Sequence, residues 1–223
     1  MKPKFYFDLQ QHIFDPENRF NYQTNQEWLT LRADRFTASN AAELLSQGKD
    51  ADRLSKSIKT LINSRAMQNR TGWIDDSAMS YTEKECVTRG LVYEDEARKW
   101  YEWKTGRSVV ECGFVERGAY IGCSPDGLVT DGLRTVQIKI PMPANFVHAI
   151  LNGWKEYVPQ CHFERFVCKF KVADLVIYSP ELRTGKIIEI PADPDVDREI
   201  LSKIRTAVKY RDMANDALDN LLS

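Results

Sequence analysis

No run of 18 or more apolar residues occurs in the 223-residue chain, so a membrane-spanning helix is not expected. The opening stretch, MKPKFYFDLQQHIFDPENRF, lacks the apolar block and small-residue cleavage site of a secretion signal, which points to the cytoplasm. C-x-x-C pairs are missing too, and the five cysteines, at 86, 112, 123, 161 and 168, are odd in number. That pattern argues against a disulfide framework or a zinc ribbon and leaves buried free thiols as the expectation. Nor does any repeat, low-complexity tract or Pro/Ser linker divide the sequence. A single domain over residues 1–223 is therefore expected, with an arm at 1–24 and an amphipathic helix at 195–223. An excess of either charge is also lacking. The formal net charge of −1 removes the global signature of a nucleic-acid binder without excluding a local basic groove.

What is present is the composition of a globular protein, with 43% hydrophobic and 28% charged residues. After an irregular N-terminal arm, EWLTLRADRFTASNAAELL reads as an arm or short helix, a turn, and a helix opened by Thr37, Ser39 and Asn40. A second helical stretch covers about 51–67. A longer one follows at about 77–104, along which Val87, Leu91, Glu94, Arg98 and Tyr101 share a face. One carboxylate, Glu94, thus lies within a largely apolar stripe. From Ser108 the pattern changes to β-branched segments, SVVECGFVE, AYIGCSP, GLVT and TVQIKI, separated by Gly and Asp-Gly turns. ANFVHAILNG and about 157–169 return to helix, and ADLVIYSP and GKIIEIPA read as two strands. Ile200, Ile204, Val208, Ala214, Leu218 and Leu221 mark the C-terminal helix. This order predicts an α/β (α+β) fold in which helices flank a mixed, mainly antiparallel central sheet.

The chemistry concentrates in CSPDGLVTDGLRTVQIKIP, residues 123–141. Alternation along a strand places Val136, Ile138 and Ile140 on one face and Gln137 and Lys139 on the other. Asp126 ends the preceding strand in a Pro-Asp-Gly turn, so the loop between the strands can bring all three polar groups together. An aspartate, a second oxygen ligand and a lysine on one side suit a magnesium site for phosphodiester hydrolysis. Carboxylates hold the hard cation, the cation activates water, and the ammonium neutralises the developing oxyanion. The spacing D-x10-Q-x-K is common by itself, and an Asp-Gly turn beside a solvent-facing strand stays open as the plain alternative.

Four segments, taken in order, add weight. SPDGL followed by Q-x-K resembles the signature of the PD-(D/E)xK nuclease superfamily. It resembles more closely that of the phage lambda exonuclease group, also called the YqaJ-like viral recombinases. EWLTLRADRFTAS is similar to that family's W-x3-R segment ending in (I/F)-T-A-S, GLVYEDEAR to its G-x2-YE-x2-AR helix, and YVPQCHF to its Y-x2-Q-x-Q segment. The resemblance implies a restriction-endonuclease-like core and a Mg2+-dependent 5′→3′ exonuclease, with two ions per site and Mn2+ as a substitute. Its substrate would be double-stranded DNA with 5′-phosphorylated ends, and its product 3′ single-stranded tails for recombination by strand annealing. A phage or prophage origin, a homotrimeric ring around DNA, a single-strand annealing protein as partner and a bacterial cytoplasm are implied as well.

Position by position, Asp126 is similar to the family's first metal-binding carboxylate and Gln137 stands where the second is found. The Ile138 carbonyl matches a backbone metal ligand, and Lys139 the catalytic lysine. Glu94 falls on the glutamate of the YE segment, near the metals. Gln160 matches an active-site glutamine, Tyr157 its companion tyrosine, and Arg32 and Ser39 the residues that hold the terminal 5′ phosphate. Plain structural roles stay open beside these: Glu94 paired with Arg98, Ser39 as a helix N-cap, Tyr157 as a packing residue.

Two positions depart from the family. His162 stands where a second glutamine is common, as part of the site's lining. Gln137 stands where glutamate is usual, which replaces a charge by a dipole and removes a proton acceptor. Weaker metal binding and slower hydrolysis follow. Gln137 is either natural in an active variant or a deliberate change that holds the protein on uncut DNA, and the sequence leaves both readings open. A restriction- or repair-type endonuclease with the same core, and a catalytically dead protein that binds DNA ends, are the alternative functions.

Overall fold

Residues 1–15, 18–33, 35–49, 52–71 and 81–222 are described by the structure, a computed structural model. In chain order the elements are β1 (Lys4–Tyr6), β2 (His12–Asp15), β3 (Asn18–Thr24), α1 (Gln26–Arg32), β4 (Phe36–Thr37), α2 (Ala41–Leu45), α3 (Lys56–Thr71) and α4 (Tyr81–Thr105). There follow β5 (Phe114–Glu116), β6 (Ile121–Cys123), β7 (Gly127–Val129), β8 (Arg134–Lys139), α5 (Pro143–Asn152), α6 (Val158–Cys168), β9 (Val172–Ser179), β10 (Thr184–Pro191) and α7 (Pro194–Leu222). The strands form two four-stranded sheets, in the orders β1-β5-β6-β4 and β10-β9-β8-β7, and a β2-β3 hairpin. Among the described residues, only β8 with β9 and β4 with β6 pair in parallel. The expected mixed, mainly antiparallel arrangement is therefore present, shared between two sheets.

Strand β8 is covered on both faces. Val136, Ile138 and Ile140 pack with Ala97 and Tyr101 of α4 and with Val176 and Tyr178 of β9. On the opposite face Leu175 and Ile177 of β9 meet Phe146 and Ala149 of α5 and Cys161 of α6. A third cluster joins Leu44, Ile58, Phe163, Val167 and Ile200, from four helices, to Val115, Cys123 and Leu128 of the strands. Helix α6 contributes to both of the last two clusters, and every residue from Phe163 to Cys168 is buried. Its polar side chains must then find partners inside the protein. Four of the five cysteines are buried free thiols, while Cys86 is exposed.

The N-terminal arm is not irregular. Strand β1 pairs antiparallel with β5 and β2 pairs with β3, pairings too short and too distant in sequence to leave a periodic signal. Where the arm crosses the chain at Gly113, a Cβ would stand 1.5 Å from the Leu9 carbonyl oxygen, so only glycine fits. SVVECGFVE is likewise not one strand: Val110 makes a single bridge to Leu128, and β5 begins at Phe114. The helix expected from about 51 begins at Lys56, where Ser55 Oγ accepts from the Ile58 N–H. The described part of the long helix begins at Tyr81, and the expected start at 77–80 lies outside the described residues.

Candidate active site

Strands β7 and β8 pair with Gly127 opposite Val136, which places the Asp126 turn beside Gln137 and Ile138. Asp126 Oδ2 accepts from the Ile138 N–H at 2.6 Å and from Gln137 Nε2 at 2.5 Å. Gln137 Nε2 also faces the Ile138 carbonyl at 3.4 Å. Across from β8, Gln160 Nε2 donates to Gln137 Oε1 at 2.8 Å and to Glu164 Oε1 at 2.9 Å. Lys139 Nζ donates to Gln160 Oε1 at 2.9 Å, and the ammonium stands 5.5 Å from the centre of the Tyr157 ring. The structure thus joins Asp126, Gln137, Ile138, Lys139 and Gln160 in one hydrogen-bonded network, with Tyr157 at its edge.

Glu94 borders the network without joining these bonds. It pairs with Arg98 at 2.7 Å, and Arg98 in turn reaches Glu111 and the Asp126 carbonyl. A third of the Glu94 side chain still meets solvent. Burial, aided by the Asp126 charge, nevertheless pushes its carboxyl up to about 8. Burial raises Asp126 as well, opposed by the Lys139 charge and the Ile138 N–H. Glu164 is raised well above the ordinary carboxylate range, again by burial first and by Asp126 second. Carboxyl groups are therefore crowded around Asp126, and burial favours their protonated forms.

A cleft of about 530 Å3 opens over Glu94, Arg98, Pro125 and Asp126, and the arm residues Phe7 to His12 line it too. A second polar cluster adjoins it. Arg32 donates to Ser39 Oγ at 2.9 Å and to Thr37 Oγ1 at 3.3 Å, its guanidinium lying 4.2 Å from the Trp28 ring centre. Arg65 reaches Asn40 in the same cluster. Burial, and then the Arg65 charge, push Arg32 down to about 10, so it stays cationic at neutral pH. Ser39 is exposed, and as a partner of Arg32 it does not cap helix α2, which has no side-chain cap bond. Trp28 Nε1 donates to Ser124 Oγ at 2.9 Å, two residues before Asp126, and so ties the two clusters together.

His162 is brought to neither cluster. Its Nδ1 accepts from Arg165, which pairs with Asp197 of α7. Residues two apart on a helix do not share a face, whereas Gln160 and Glu164, four apart, do. That spacing was the available signal for Glu164. For Arg98 the signal was the stripe shared with Glu94; for Ser124, Trp28 and Arg65 none exceeded chance.

Asp126, the Ile138 carbonyl and the Gln137 amide offer hard oxygen donors of the kind Mg2+ takes. Among the described residues no three His, Cys, Asp or Glu side chains group closely enough to hold a metal by themselves, in keeping with a glutamine where a carboxylate is usual. The residues fit such an ion nonetheless: the Gln137 amide hydrogens lie where the Asp126 carboxylate and the Ile138 carbonyl converge.

No curated protein sequence matches the chain. The family model for a YqaJ-like viral recombinase domain matches residues 27–170, a span containing both clusters. Among solved structures, an alkaline exonuclease (LHK-Exo) from Laribacter hongkongensis is 25% identical, with a TM-score of 0.73 over 89% of this chain and 98% of that one. The same exonuclease in complex with dAMP gives a TM-score of 0.74 at the same identity and coverage. A phage-related exonuclease from Haemophilus somnus 129PT, 15% identical, shares the fold with a TM-score of 0.67 over 85% of this chain and 96% of that one.

Proposed function

The chain belongs to the YqaJ-like viral recombinase family, and from that premise we propose that it is a nuclease acting on the ends of double-stranded DNA. The finer reading is a Mg2+-dependent 5′→3′ exonuclease that leaves 3′ single-stranded tails for strand annealing. One observation carries it: the network of Asp126, Gln137, Lys139 and Gln160 is tied through Ser124 and Trp28 to the Arg32 and Ser39 cluster. An end-acting enzyme needs such a pair, one site for the terminal phosphate and another for the scissile one. The likeness to an exonuclease that binds dAMP supports a nucleoside monophosphate as product.

Arg32 and Ser39 hold the 5′ phosphate by charge-assisted hydrogen bonds. Asp126, the Ile138 carbonyl and Gln137 Oε1 would hold Mg2+ or Mn2+, which supplies Lewis acidity and a bound water of lowered pKa. Turning Oε1 toward that place requires the Gln137 amide to leave Asp126. Lys139, steadied by Gln160 and Tyr157, neutralises charge developing on the phosphoryl oxygens. The arm residues that share the cleft narrow the access of water. From the family premise the proposal extends to a homotrimeric ring, a single-strand annealing partner and a bacterial host cytoplasm.

A second reading, binding of DNA ends without cleavage, draws on the Gln137 amide bonded to Asp126. Digestion of 5′-phosphorylated linear duplex in Mg2+ separates the two. We expect mononucleotides from linear DNA, none from covalently closed circles, and release no more than about 100-fold faster by Gln137→Glu. Release by Gln137→Glu alone would establish end binding for this chain; release by neither would refute the nuclease reading.

A further inference from the structure

We infer that a cavity between α3 and α7 is a second nucleotide site, which receives the nucleoside 5′-monophosphate as it leaves the Arg32 cluster. The inference rests on the nuclease reading and adds to it a place for the product.

The cavity measures about 500 Å3 and is walled by Arg65 and Arg70 of α3, Arg211 and Asn215 of α7, and Tyr120. That volume lies in the range of small-molecule sites. Phe36, Ile62 and Ala66 make part of the lining apolar, and Asp219 is its one carboxylate among the described residues. Three guanidinium groups against one carboxylate leave the wall positive in a chain of net charge −1. A ligand with a flat body and a phosphate suits both parts of such a lining, since guanidinium groups stack on planar rings and bond phosphate oxygens.

The arginines differ in what they can still bind. Arg70 commits all five of its N–H donors to Asp219, Asn215 and the Ala66 carbonyl. It braces α3 against α7 and neutralises the one acid. Arg211 lies 4.7 Å from the Tyr120 ring centre and bonds, through Nε and Nη2, a single oxygen of its chain neighbour Asp212. The Asp212 side chain is 54% exposed, and ion pairs at the surface are weak. Arg211 is therefore the cation a phosphate in this cavity would recruit.

Arg65 joins the cavity to the terminal-phosphate cluster. Its Nη2 donates to Asn40 Oδ1 at 3.3 Å, Asn40 also accepts from Thr37, and Thr37 and Ser39 accept from Arg32. Ala33, next in the chain to Arg32, lines the cavity too. The same cluster is tied to Asp126 by the bond from Trp28 to Ser124, and the cleft over Asp126 shares no wall with the cavity among the described residues. The cluster thus stands between them. In the proposed hydrolysis water adds to the scissile phosphorus, the bond to the 3′ oxygen breaks, and that oxygen takes a proton. The terminal nucleotide is left with a 3′ hydroxyl and with its 5′ phosphate still on Arg32 and Ser39. The shortened strand must bring its new 5′ phosphate to that place, so the product has to vacate it, and the cationic cavity shared by Arg65 lies beyond the incoming strand.

Calorimetric titration of deoxyadenosine 5′-monophosphate into the full-length protein, without DNA or divalent cation, tests this, with thermal melting as the check on folding. Two sites per chain are expected. Arg32→Ala should remove one, and Arg211→Glu should weaken the other by about tenfold or more while sparing the first. Deoxyadenosine, which lacks the phosphate, should bind the second site more weakly by a similar factor. A single site in the unaltered chain overturns the inference, as does a second site that Arg211→Glu leaves unchanged in folded protein. If Arg211→Glu does not fold, Arg211→Gln decides, with the same loss expected. A 5′ single-stranded extension carries the same chemistry, and digestion of blunt and 5′-extended duplexes separates the two sources. If Arg211→Glu slows only the extended ends and leaves the titration unchanged, the cavity serves the strand and the product site is overturned. Failure of the nuclease reading shows separately, as no nucleotide release by the chain or by Gln137→Glu, whatever the titrations give.

Discussion

At Gln137 the amide nitrogen donates to the Asp126 carboxylate at 2.5 Å. Asp126, partly buried, therefore meets a donor there rather than a second charge. The carboxylate pressure persists at Glu94, which has a pH consequence. Its folded-state carboxyl holds a proton up to about 8, against an ordinary 4.5. Between those values the folded chain binds more protons than the unfolded one, so stability falls as pH rises through that window. Without divalent cations the melting temperature should drop across it, and Glu94→Gln should flatten the drop; a profile identical in both proteins would contradict this. At the other cluster, Arg32→Ala removes the guanidinium that Ser39 and Thr37 accept from. A charge-assisted bond is worth about 1.5–3 kcal/mol, so the preference for 5′-phosphorylated over hydroxyl ends should fall by about tenfold or more in competition binding.

Helix α6 is the element on which the site turns. It lies against both sheets and turns Phe163 and Val167 to one cluster and Cys161 to another, which leaves Gln160 and Glu164 to face β8. The helix is tied to α7 by Arg165, 2% exposed, whose guanidinium meets Asp197 at 2.5 Å. Asp197→Ala would leave that guanidinium buried and unpaired, and breaking such a pair costs about 3 kcal/mol. Chemical denaturation should show this as a lower midpoint with an unchanged slope. On β8 the alternation of the sequence told correctly which residues share a face, since a strand has a period of two. On α6 the motif Q-x-H suggested two lining residues, but the helical period carries His162 away from the site and brings Glu164 to it.

The whole molecule carries a net charge of only −1, yet the proposed substrate is a polyanion. Binding must then depend on where the cations lie, Arg32, Arg65 and Lys139 among them, rather than on their sum. Neutralising phosphates releases counterions, so affinity for DNA ends should fall linearly in log–log form as salt rises, with slope about −0.9 per phosphate contacted. Fluorescence anisotropy over a salt series checks it; a flat response would rule out binding through phosphate contacts. At this scale the arm matters as well. Strand β1 docks on β5 and the residues after it line the cleft over Asp126, so a segment that carries no motif helps to shape the site.

The sequence by itself determined the order of helices and strands from Ser108 onward, the faces of β8, and the residues that line up with a known family. These are local matters: periodicity, turn chemistry and short motifs are written within a few residues of one another. Tertiary structure alone decided the pairing of the arm, the division into two sheets, and the link from Arg32 through Trp28 and Ser124 to Asp126. It also decided which way the Gln137 amide points, because that orientation is set by Gln160 and Glu164, 23 and 27 residues away in the chain. Hydrogen-bond direction depends on the partner across the gap, and a partner brought in by folding leaves no mark in the local sequence.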